Sequence, residues 1–88
     1  MQQPTCITIR RAKDARAQFG IALSTLYDWI GRGVMVPPIP LGARSVGFAG
    51  HELDAIAAAR IAGKPEDDIR ALVQNLVAAR THNQEQPK

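Results

Sequence analysis

Apolar residues recur along this chain with two different periods, and the clearer one is helical. Ile69, Leu72, Val73, Leu76 and Val77 fall at i, i+3, i+4, i+7 and i+8, one stripe of an amphipathic helix. Pro65 followed by Glu66, Asp67 and Asp68 marks its start. Upstream, Leu53, Ile56, Ala57 and Ile61 predict a helix from Gly50 or His51 to Ala62, with Glu52 and Asp54 near its positive end and Gly63 stopping it. Leu26, Trp29 and Ile30 make the buried stripe of a short helix from Leu23 to Arg32, whose other side carries Ser24, Thr25, Asp28 and Arg32. Residues Ala12 to Phe19 are rich in helix formers, with Ala15 and Phe19 both able to face the helix that follows. Gly20 suits a tight turn with positive φ, and Gly33 suits the position just past a helix end. Two short helices joined by Gly20 to Ala22 have helix-turn-helix spacing.

The second period belongs to strands. Cys6-Ile7-Thr8-Ile9 is a β-branched run that reads as an edge strand. Between Val34 and Leu41, Pro37, Pro38 and Pro40 forbid helix and confine any strand to an edge or an end. Gly42-Ala43-Arg44-Ser45 supplies a turn between Ile39-Pro40-Leu41 and Val46-Gly47-Phe48, a small hairpin with Arg44 at its tip. Ile39, Leu41, Val46 and Phe48 are expected on one face of it, packed on the helices. The expected fold is mainly α with a small β wing, a winged helix-turn-helix plus an additional C-terminal helix. Residues 1–63 would form the winged helix-turn-helix unit, 64–80 the C-terminal helix of the same domain, and 81–88 a disordered tail.

Composition narrows the chemistry. The formal net charge of +3 is unevenly spread: residues 1–50 carry +4 and residues 51–88 carry −1. A polyanion-facing surface belongs in the first half. A single cysteine, Cys6, offers neither an internal disulfide nor a thiolate zinc site, and His51 and His82 stand without partners at ligand spacing. No metal and no cofactor are expected. Ser24, His51 and Asp54 are scattered, and no Gly-rich phosphate loop or paired-acid motif accompanies them, so an enzyme with a small-molecule substrate is not expected either. No run of about 18 apolar residues and no signal-peptide pattern occur, so no membrane association and a cytoplasmic location are expected.

The motifs together resemble those of the AlpA-like phage regulators and of excisionases with MerR-like winged-helix domains. The resemblance runs from about Ile9 to Ile61. It rests on Gly20-Ile21 opening the turn, Ser24-Thr25-Leu26-Tyr27 starting the second helix and Trp29-Ile30-Gly31-Arg32-Gly33 ending it. It continues through Pro37-Pro38-Ile39-Pro40-Leu41-Gly42, Arg44, and Val46-Gly47-Phe48. It implies a sequence-specific double-stranded DNA-binding protein of a bacterial prophage or integrative element. Such a protein acts as an excisionase, a recombination directionality factor that bends attachment-site DNA for an integrase. An AlpA-type transcriptional regulator is the alternative within DNA binding, and a protein-interaction adaptor or antitoxin the alternative from another class. Where relatives carry an N-capping residue this chain has Ala22, and where they carry basic or polar residues it has Leu23 and Asp28.

On this reading Ser24, Thr25, Tyr27, Asp28 and Arg32 present the second helix to DNA, and Arg44 with Ser45 does so from the wing. Arg11, Lys13 and Arg16, beside Arg10, supply phosphate contacts. Trp29 belongs to the core. The stripe of Ile69, Leu72, Val73 and Leu76 either completes the monomer core or docks onto another copy, since one winged domain reads only a short site and specificity favours a cooperative oligomer on DNA.

Overall fold

A computed structural model describes residues 8–84, with side chains through residue 80. The chain runs β1 (Ile9–Arg10), α1 (Ala12–Phe19), α2 (Leu23–Gly31), β2 (Ile39–Pro40), β3 (Val46–Ala49), α3 (Gly50–Ile61) and α4 (Glu66–Gln84). The architecture is mainly helical with one small antiparallel sheet in the order β1-β3-β2. Both outer strands are two residues long, and the proline of β2 sits at an edge, where a missing N–H does no harm. The expected strand over Cys6 to Ile9 is realised as Ile9–Arg10; Cys6 and Ile7 lie outside the described residues.

Glycine sets the two turns around α2. Gly20 has φ 67°, its N–H bonds the Ala17 carbonyl, and the Ile21 N–H reaches back to Arg16. Gly33, at φ 81°, repeats the arrangement, with its N–H on the Ile30 carbonyl and the Val34 N–H on Trp29. These crossed bonds satisfy carbonyls that a helix end otherwise leaves bare, and they need a left-handed residue.

The core is continuous across the helices and the sheet. Ala15, Leu26, Phe48, Leu53, Ile56, Ile69 and Val73 are buried together with Val34, Met35 and Val36. The last three belong to the irregular segment after α2, which a reading based on period alone leaves as a connection. Trp29 packs against this core as expected: it meets Phe19 edge-on at 5.7 Å and carries the Arg60 guanidinium 3.9 Å above its ring. Trp29 thereby links α2 to both α1 and α3.

One buried polar contact ties α4 down. Glu52 is completely buried and receives two hydrogen bonds from Arg80, Nε to Oε2 at 2.8 Å and Nη2 to Oε1 at 2.6 Å. Arg80 Nη2 also donates to the Pro37 carbonyl at 2.9 Å, so one guanidinium joins α4, α3 and the proline segment. On the opposite side, Arg10 and Gln18 both donate to Asp54, at 3.0 and 2.9 Å, which binds β1, α1 and α3 together.

Three expectations change. The hairpin pairs Ile39 with Gly47 and Pro40 with Val46, and the Leu41 N–H bonds the Ser45 carbonyl. That loop is shorter than the four-residue turn read from the sequence, and side-chain parity follows loop length. Ile39 and Leu41 therefore share a face with Gly47, while Phe48 faces the core with Val46 on its side. A Cβ at Gly47 would sit 2.5 Å from Ile9 Cγ2 and 3.0 Å from Leu41 Cδ1, so any side chain there would have to displace both. Ile61, expected in the apolar set of α3, is 86% exposed: in the same last turn Ala59 packs against the core and Arg60 covers Trp29, which leaves Ile61 on the outward face. Residues 81–84 continue α4 rather than fraying, and the rest of the expected tail lies outside the described residues. Of the α4 stripe, for which the sequence leaves two roles open, Ile69 and Val73 are buried in this chain's own core, while Leu72 and Leu76 pack partly against it.

Candidate nucleic-acid interface

The first turn of α1, the first half of α2 and the tip of the β2–β3 hairpin converge on one open cleft of about 530 Å³. Local structure explains the convergence. The Gly20 turn folds α2 back against α1, with Phe19 and Trp29 meeting edge-on near the helix ends, and the starts of the two helices line the same cleft. The antiparallel pairing of β3 with β1 holds the hairpin beside the start of α1.

Arg11, Lys13 and Arg44 line this cleft against a single carboxylate, Asp14. All three cations are exposed, and among the described residues none of them makes a side-chain hydrogen bond or ion pair. Their counter-charge therefore comes from solvent ions, which an incoming polyanion displaces. The cleft also contains Leu23, Tyr27 and Val46, large apolar groups left 46%, 45% and 36% exposed. Both helices that open onto it begin without a side-chain cap, at Arg11 and at Ala22.

The expected contact residues divide into groups. Tyr27, Arg44, Arg11 and Lys13 come together in the cleft. Ser24 is exposed and Thr25 half-buried on the same first turn of α2, outside the residues that line the cleft. Asp28 and Arg32 point elsewhere. Arg32 bonds Asp28 at 3.1 Å and Glu66 at 3.2 Å, while Arg70 reaches Glu66, Asp67 and the Arg32 carbonyl. This network joins the end of α2 to the start of α4, so the charge of Arg32 is already matched by two carboxylates. Arg16 is exposed and donates to the Ile21 carbonyl at 3.3 Å, stitching the turn. Ser45 is half-buried, and its carbonyl closes the hairpin loop. Arg10 is occupied by Gln18 and Asp54.

Asp54 titrates below its ordinary range because the Arg10 guanidinium, and then the Gln18 amide, hydrogen-bond its charged form. It serves the scaffold rather than the cleft. Among the described residues no group of histidine, cysteine or carboxylate side chains could hold a metal ion, and no helix is long and apolar enough to cross a membrane.

Sequence reasoning missed Leu23 and Val46. Leu23 and Tyr27 stand at i, i+4 and therefore share a helix face, a signal that the stripe of Leu26, Trp29 and Ile30 overshadowed. Val46 reaches the cleft only through the pairing register of the hairpin. Comparisons with family models, with curated proteins and with solved structures return no match.

Proposed function

We propose that this chain is a winged helix-turn-helix protein that binds double-stranded DNA, with α2 as the recognition helix and the β2–β3 hairpin as the wing. The observation that carries the reading is the convergence of three unpaired cations, Arg11, Lys13 and Arg44, on the exposed first half of α2. In such an arrangement the helix enters the major groove, and the wing arginine reaches a flanking phosphate or the negative potential of a narrow minor groove. Within DNA binding, the resemblance of residues 9–61 to excisionases and AlpA-like regulators supports the narrower role of a recombination directionality factor. That role is to bend attachment-site DNA of a mobile element so that an integrase excises it. Its cellular setting would be bacterial, cytoplasmic and nucleoid-associated.

A salt titration of duplex binding tests the reading. Each phosphate neutralised contributes a slope of about −0.9 in log K against log [salt], so the three cleft cations give a slope of roughly −3 per copy. Arg44→Ala should reduce that slope by about 1 and leave the melting temperature unchanged, because the side chain is exposed and unpaired. A flat salt response would overturn DNA binding in favour of a protein-interaction adaptor. Circular-permutation gel shifts then separate a bending factor from a plain transcriptional regulator, and footprinting on the attachment region should show protection recurring at about one-turn intervals.

A further inference from the structure

Helix α2 reads Leu-Ser-Thr-Leu-Tyr-Asp-Trp-Ile-Gly, with no Asn, Gln, Arg or Lys in it. The side chains that make bidentate hydrogen bonds to guanine or adenine edges are therefore missing from the helix that faces the cleft. Its one carboxylate, Asp28, is held by Arg32 at 3.1 Å. What the cleft does present is an apolar patch: Leu23 and Tyr27 one helical turn apart, with Val46 of the hairpin across from them. Leaving three large apolar groups this exposed around one concavity is costly in water, at about 25 cal/mol for each Å² that a partner would cover. The rim sets Arg11, Lys13 and Arg44 against the single carboxylate Asp14, an excess of positive charge that favours an anionic partner.

We infer that this patch reads thymine: Leu23, with Tyr27 and Val46 beside it, packs against the C5-methyl groups that thymine exposes in the major groove, while the three cations hold the flanking phosphates. The inference rests on the DNA-binding reading above and adds the chemical class of base it discriminates. The thymine methyl is the only apolar group on a major-groove base edge, and duplex RNA carries uracil, which lacks that methyl, in a groove too deep and narrow for side chains, so the patch selects DNA that contains A·T pairs.

The test uses the full chain and duplexes selected from a random 20-base-pair library, each then synthesised with thymidine and with deoxyuridine. Deoxyuridine keeps every hydrogen-bonding group and removes only the methyl. Affinity should fall about fourfold for each contacted methyl, the equivalent of one buried CH₂ group. Leu23→Ser should erase most of this difference and keep the salt slope, since Leu23 carries no charge. Equal binding of the thymidine and deoxyuridine duplexes overturns the inference while leaving DNA binding intact. Absence of salt-dependent duplex binding overturns both, and retention of acidic peptides in its place would assign the cleft to a protein partner. The base substitution requires no protein variant, so the outcome does not depend on how Leu23→Ser folds.

Discussion

Arg80→Met should be among the most damaging single changes in this chain, although Arg80 lies far from the cleft. The substitution keeps the apolar stem and removes the guanidinium that makes two hydrogen bonds to the completely buried Glu52 and one to the Pro37 carbonyl. Breaking a buried ion pair on one side costs about 3–5 kcal/mol, because the remaining charge stays desolvated. Arg80 keeps 22% of its side-chain exposure, so water can reach the vacated position, and the lower end of that range, about 3 kcal/mol, applies. At roughly 4–8 °C per kcal/mol for a chain of this size, melting should fall by about 12–24 °C. The assay is thermal and urea unfolding followed by far-UV circular dichroism at pH 7. Glu52→Leu/Arg80→Met supplies the control: with no buried charge left, it should recover most of the loss, short of about 1 kcal/mol for the unpaired Pro37 carbonyl. A loss under about 1 kcal/mol in the single variant, or a double variant no more stable than the single, would refute the view that Glu52 is a desolvated charge.

Two further outcomes follow from the scaffold. Asp54 has its folded pKa lowered by Arg10 and Gln18, so its contribution to stability is full above the unfolded value near pH 3.9 and is lost as pH falls through the folded value. Asp54→Asn should therefore melt lower than the parent at pH 7, with the gap closing below about pH 4 and narrowing in high salt. Gly33→Ala places a Cβ on a residue at φ 81° and should cost about 1–2 kcal/mol in urea unfolding, with Gly33→Asn costing less; equal stability of all three would show that the left-handed turn is not required.

Local chemistry already written in the residues determined the elements. Gly20 and Gly33 bracket α2 because only a residue without a Cβ takes positive φ cheaply, and Pro65 with its acidic followers starts α4 because its missing N–H is one that a helix start leaves unpaired anyway. The amphipathic stripes of α2 and α4 turn inward as their period requires, which places Leu26, Ile69 and Val73 in the core. Much of the candidate site was legible too, since a basic residue at a hairpin tip and a short helix after a tight turn are local features. Three things were settled only when the chain closed on itself. Hairpin parity depends on one residue of loop length, and that sends Val46 rather than Leu41 to the cleft. The partner of Glu52 lies 28 positions away, a separation no helical or strand period connects. And of two arginines that look alike in sequence, Arg32 is matched by carboxylates from α2 and α4 while Arg44 is left open to solvent; the difference is one of tertiary neighbours, not of residue type.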